Sequence, residues 1–176
     1  MAYYAMRLPL GVCEVRSWRR GDAAAIVEHA NNRNVWLNLR DRFPHPYTRR
    51  DARTFLASVI GARPETNFAI DVDGAAVGGI GFGIQTDVER IGAELGYWLG
   101  ETYWGRGIAT AAVVAVTEHA LGEHGLRRVF ALPFAHNGAS ARVLEKAGFA
   151  LEGVLHSSAI KDGRVMDQLL YARIRS

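Results

Sequence analysis

The stretch YWGRGIATAAVVAVTEHALG, residues 103–122, sets two glycines around an arginine and then runs directly into apolar, helix-forming sequence. Glycine permits dihedrals and close approaches that a side chain blocks, and a helix start presents unpaired N–H groups with partial positive charge. Gly105 and Gly107 therefore mark a strand-to-helix turn suited to an anion. Taken alone, the motif leaves a tight turn without a ligand equally open. No lysine follows the glycines as a P-loop requires, and the GxGxxG spacing with its downstream acidic residue is missing. Neither a P-loop nucleotidase nor a dinucleotide fold is supported.

Working outward, ERIGAELGYWL upstream reads as a strand, and TNFAIDVDGAAVGGIGFGIQ as two strands joined by the hairpin signal Asp73-Gly74. Gly78, Gly79, Gly81 and Gly83 weaken the second of these and point to a bulge or a close backbone neighbour. The long helix runs from Ile108 to about Glu123. After it come a strand in RRVFALPF, a short helix in GASARVLEKAG, and a hairpin of ALEGVLHSSAI with RVMDQLLYARI around Lys161-Asp162-Gly163. Toward the N-terminus VCEVRSW alternates as a short strand, and GDAAAIVEHANN reads as a helix with Asp22 as its N-cap. NVWLNL continues as a short helix until Pro44 and Pro46 forbid regular structure. Thr48 then caps a helix over RRDARTFLASVIGA that ends near Gly61 and Pro64. The order is mixed α/β, of the α+β kind, with antiparallel hairpins and one central strand-turn-helix unit.

The 176 residues and 49% hydrophobic content suit a single domain over residues 1–176 with a sizeable core. Cys13 stands alone, so no internal disulfide forms, and no CxxC or Cys/His cluster has zinc spacing; a reducing compartment and no metal are expected. Arg7 interrupts the place where a signal peptide would need its apolar run, and the longest apolar run, around residues 111–116, is too short to span a membrane. A cytoplasmic protein without a membrane partner is expected. The pI of about 9.3 invites a nucleic-acid partner. The net charge is only +3, however, and pairs such as Arg19-Arg20, Arg49-Arg50 and Arg127-Arg128 are scattered among acids. With no basic stripe interleaved with aromatics, no nucleic-acid partner is expected.

Several blocks, in order, resemble the GNAT acetyltransferase superfamily, specifically its RimJ/RimL type. They are VRSWRRGDAAAI, FPHPYTRRDARTFL, AELGYWLGETYWGRGIATAA, LRRVFALPFAHNGASARVLEKAGFALEG and DGRVMDQLLYARI. The resemblance covers nearly the whole chain. It implies the GNAT fold, a twisted, mostly antiparallel mixed sheet that splays at its centre with helices on both faces, and it implies acetyl-CoA in the gap.

On that resemblance the phosphate loop is Trp104-Gly105-Arg106-Gly107-Ile108-Ala109. Trp104 departs from the Gln or Arg of the superfamily pattern. The N–H groups of Arg106, Gly107, Ile108, Ala109 and Thr110 would converge on the pyrophosphate. Trp98 and Leu99 match the strand whose backbone binds the pantetheine arm, with Trp98 as core or pocket wall. Asn137 would hold the pantetheine amide, and Lys146 would reach a CoA phosphate or stand as an ordinary exposed lysine.

The implied chemistry is transfer of an acetyl group to a primary amine by direct attack in a ternary complex. An alkylammonium must lose a proton first, so a general base is useful. Glu94 matches a strand position where some relatives carry their base, and otherwise it is a buried structural acceptor. Ser140 matches a serine proposed to hydrogen-bond the leaving thiolate. Other family positions for acid and base are filled by Leu132, Leu144 and Ala159. The acceptor side would be NVWLNLRDRFPHPYT, with Trp36, Phe43, His45 and Tyr47 as walls or as packing for the loop. The acceptor is a small-molecule amine or a protein N-terminus, and a homodimer is compatible with the family. A second function class stands beside the enzyme: a non-catalytic CoA-binding sensor or interaction module, favoured by the empty acid and base positions.

Overall fold

The structure, a computed structural model, describes residues 5–175. Eight strands and five α-helices follow one another as β1 (Arg7–Pro9), β2 (Glu14–Ser17), α1 (Ala23–Ala30), α2 (Arg33–Trp36), α3 (Arg49–Val59), β3 (Asn67–Val72), β4 (Ala75–Ile84), β5 (Gly92–Leu99), α4 (Ile108–Gly122), β6 (Arg128–Ala131), α5 (Gly138–Lys146), β7 (Ala150–Lys161) and β8 (Arg164–Ile174). The strand order is β1-β2-β3-β4-β5-β6-β8-β7, an open and mostly antiparallel sheet. β5 and β6 make a parallel pair, with Gly92 opposite Arg128 and Glu94 opposite Phe130. That pairing follows from α4, the crossover helix a parallel connection requires.

Local chemistry sets the boundaries. Thr48 and Asp51 close a reciprocal capping box at the start of α3, and both hairpins turn where the sequence places Asp-Gly. Asp73 and Gly74 hold φ of 53° and 87°, and Asp162 and Gly163 hold 52° and 72°, as a two-residue turn with both φ positive demands. Asp22 departs from expectation. It stands at the N-cap position of α1 but makes no cap bond. Its carboxylate accepts instead from Arg16 Nη1 and Nη2, both at 2.9 Å, and from the Arg19 backbone N–H at 2.7 Å. Burial explains the change, since Arg16 is 2% exposed and a buried guanidinium must be paired.

The chain forms two compact units: one takes the chain up to Gly81 together with Tyr97–Ala112, the other Phe82–Gly96 together with the chain from Val113 onward. In the first, Trp18, Ile26, Ala30, Tyr47, Ala52, Leu56, Ala69 and Ala76 form a core cluster, with Phe43 and Trp98 packed against it. The strand glycines of β4 find their reason here. A Cβ on Gly78 would lie 2.5 Å from the Trp98 carbonyl oxygen, and one on Gly79 would lie 2.7 Å from Trp98 Nε1. In the second unit Phe82, Leu95, Val113, Val116, Val129, Leu144, Phe149 and Tyr171 are buried.

Candidate functional site

In the first unit, β5 ends at Leu99 and a short 3-10 turn, Glu101–Tyr103, leads to the glycine loop. Gly105 and Gly107 hold φ of +74° and +76°, the left-handed region that glycine alone enters without strain, and a Cβ at either would meet nothing within 4 Å. The glycines are needed for conformation, and the space beside them is open. Gly107 oxygen accepts from Ala111 N at 3.0 Å, which starts the helical ladder and leaves the N–H groups of Ile108, Ala109 and Thr110 without intrahelical acceptors. Ile108, 2% exposed, anchors this end in the core, whereas Arg106 and Gly107 are exposed. An open turn with unpaired donors at a helix start fits a phosphate.

Trp104 has a task here that the sequence did not disclose. Its indole Nε1 donates to the Leu99 carbonyl at 2.8 Å and so ties the loop to the end of β5. The exposed Arg106 lies with its guanidinium 5.1 Å from the Tyr103 ring centroid, and Tyr103 meets His29 edge-on at 5.4 Å. Glu101 receives Asn32 Nδ2 on one oxygen at 2.7 Å and Asn34 Nδ2 on the other at 2.8 Å, and these bonds hold its pKa below the usual carboxylate value.

The four expected acceptor-side residues divide into two pairs. Phe43 and Tyr47 are 4.8 Å apart, Phe43 meets Trp98 at 5.6 Å, and Tyr47 is 5% exposed, so this pair packs the loop onto the core. Burial and the Asp51 charge push the Tyr47 hydroxyl up to about 12. Trp36 and His45 lie 5.6 Å apart nearer the surface, and Arg33 covers Trp36 at 5.5 Å.

In the second unit, Glu94 is half-buried on β5. Asn137 caps α5 by accepting the Ser140 N–H on Oδ1 at 3.1 Å, and its own N–H donates to Phe134 oxygen at 2.9 Å. Asn137 and Ser140 are therefore brought together at one end of α5. Lys146 lies exposed at the other end, roughly 13 Å along the axis, where a cation complements the helix dipole. The loop between β6 and α5 is tied to β8 by Ala135 N to Asp167 O and Leu169 N to Pro133 O, both 2.9 Å.

This strand-turn-helix, with its left-handed glycines, is set in an open, mostly antiparallel α/β sheet. The profile of the acetyltransferase (GNAT) domain matches residues 13–150, and the chain belongs to that family. It is 33% identical over 99 residues to the uncharacterized N-acetyltransferase YoaA of Bacillus subtilis, covering 56% of this chain and 55% of that protein. It is 38% identical over 82 residues to the ribosomal-protein-serine acetyltransferase of Escherichia coli, covering 47% of this chain and 46% of that protein. The alignments span about half the length of the curated relatives. The fold matches that of RimL, a ribosomal L7/L12 alpha-N-protein acetyltransferase solved with coenzyme A, at TM-score 0.84 and 22% identity, covering 96% of this chain and 98% of that one.

Proposed function

We propose that this protein transfers an acetyl group from acetyl-CoA to a primary amine, by direct attack in a ternary complex. The observation that carries the proposal is the Gly105-Arg106-Gly107 turn: two left-handed glycines open to their surroundings at the start of α4, inside the family-matched span. The donor N–H groups of residues 108–110 would hold the pyrophosphate, the end of β5 would pair with the pantetheine arm, and Asn137 would meet an amide of that arm. When bound, acetyl-CoA supplies an activated thioester. The chain contributes orientation, donors for charge on the carbonyl oxygen, and a group to take the amine proton. Ser140, at the first turn of α5, is the proposed donor toward the departing sulfur.

The acceptor is a small-molecule amine or a protein N-terminus. A ribosomal-protein-serine acetyltransferase among the relatives supports the second, and the half-buried Trp36 ring with the exposed His45 ring is the surface offered to either. Incubation with acetyl-CoA and a panel of spermidine, kanamycin, and peptides beginning with serine or alanine, followed by free-thiol release, tests the proposal. Amine-dependent release is expected. Tight CoA binding with no release on any member would replace the enzyme by a CoA sensor.

A further inference from the structure

β7 carries an irregularity that the fold does not require. After a first offset between Leu151 and Gly153, its register with β8 runs to Leu155 opposite Gln168 and resumes only at Ala159 opposite Met166. Three residues, His156, Ser157 and Ser158, thus stand against the single residue Asp167. Ser157 holds φ of +50°, a conformation that non-glycine residues rarely take. Asp167 sustains it: Oδ1 accepts the Ser157 N–H at 2.8 Å, and Oδ2 faces His156 Nδ1 at 3.0 Å. Ser158 Oγ donates to Leu155 oxygen at 2.9 Å and lies 3.2 Å from Gln168 Oε1. Bulges of this kind re-aim a side chain, and they gather beside active sites.

The side chain re-aimed here is His156. The Ser157 and His156 contacts hold the Asp167 pKa below its ordinary value, so the group is a carboxylate that only accepts hydrogen bonds. Its contact with Nδ1 places hydrogen on that nitrogen, and in the neutral ring this leaves Nε2 as the acceptor. The His156 side chain is 79% exposed, open to an incoming molecule. The bulge also sits beside the loop that leads through Asn137 into the first turn of α5, where Ser140 lies. Asp167 oxygen accepts from Ala135 N at 2.9 Å, and Gln168 Nε2 donates to Leu132 oxygen at 3.2 Å. An oriented imidazole with its lone pair outward, backed by a carboxylate and fixed to that loop, is the arrangement general-base catalysis uses.

We propose that His156, oriented by Asp167, is the proton acceptor of the acetyl transfer, with Asp167 as its positioning residue. The proposal rests on the acetyltransferase function put forward above. The amine lone pair forms the N–C bond to the acetyl carbon, and the C–S bond breaks with its electron pair on sulfur. The proton lost by the amine nitrogen passes to His156 Nε2, directly or through one water, and the thiolate is protonated from solvent. Glu94 then stands as a half-buried structural group of β5.

The test is steady-state kinetics of the full chain on whichever panel amine the wild type acetylates. His156→Gln keeps a donor for Asp167 but lacks a base; it is expected to lower kcat about 100-fold with the KM for acetyl-CoA unchanged. His156→Ala should recover part of its rate when free imidazole is added, a response a merely structural residue would not show. Asp167→Asn should lower kcat more than KM and gain nothing from imidazole, because its ring is still present. Circular dichroism confirms that each variant is folded. Wild-type kcat in His156→Gln with a large loss in Glu94→Gln overturns the dyad and returns the proton to Glu94, leaving the acetyltransferase intact. A wild type inactive on every amine overturns the acetyltransferase and the dyad together.

Discussion

The Trp104 indole and the Leu99 carbonyl are joined by a 2.8 Å hydrogen bond that spans the turn between β5 and α4. It fixes the exit of the strand against the entry of the glycine loop. Trp104→Phe keeps the ring and removes the donor. A partly buried hydrogen bond contributes about 1 kcal/mol, so CoA affinity measured by calorimetry should fall about fivefold with little change in melting temperature.

Gly107→Val tests the loop itself. The position is open, so the variant meets no neighbour and the penalty lies in the dihedral, about 1–2 kcal/mol for an L-residue held left-handed. The folded protein should survive this, while the N–H groups after Gly107 swing out of line. CoA binding should weaken tenfold or more. Arg106→Ala should have a smaller effect, because the Arg106 side chain lies over Tyr103 and the cradle is backbone.

Arg16 Nε donates to Asp71 Oδ2 at 2.7 Å while its two other nitrogens hold Asp22, all three side chains under a tenth exposed. Removing one member of such a buried set strands charge, at about 3–5 kcal/mol. Asp22→Ala should lower the urea midpoint accordingly, with activity at low temperature retained.

Tyr47 provides the pH prediction. Its hydroxyl is raised from 10.0 to about 12 in the fold, first by burial and then by the Asp51 charge. The unfolded chain releases this proton near pH 10 and the folded chain does not, so the stability involved is fully present below pH 10 and is lost as pH rises toward 12. Melting temperatures across pH 9–12 should fall for the wild type. Tyr47→Phe should flatten that limb.

Much of this was open to a reader of the sequence wherever the determining chemistry is local. Thr48 with Asp51, Asp73-Gly74 and Asp162-Gly163 each specify a cap or turn from neighbouring residues, and each forms where expected. The glycines of the loop announced their left-handed backbone in the same way. What escaped depends on partners far along the chain. Asp71, 55 residues from Arg16, holds that guanidinium in the interior, and the buried charge then draws Asp22, only six residues away, out of the cap it was expected to make. β1, three residues long, exists through its pairing with β2 and carries no periodicity to detect. For Phe43 and Tyr47 the sequence left wall and loop packing both open, because an aromatic in a proline-rich loop has the same signature whether it faces a ligand or the core. The β7 bulge is invisible in ALEGVLHSSAI, since its cause, Asp167, stands on the neighbouring strand.

Asn137 commits its carbonyl oxygen to the Ser140 N–H, and this fixes which way round the side-chain amide is turned. The end left facing away from the helix is the –NH2, a donor with no lone pair to offer. Any molecule that docks there must present an oxygen, and one presenting an N–H meets a like pole. Asn137→Asp, nearly identical in shape, would keep the helix capped while reversing the polarity of that handshake, turning an attraction for carbonyls into a repulsion.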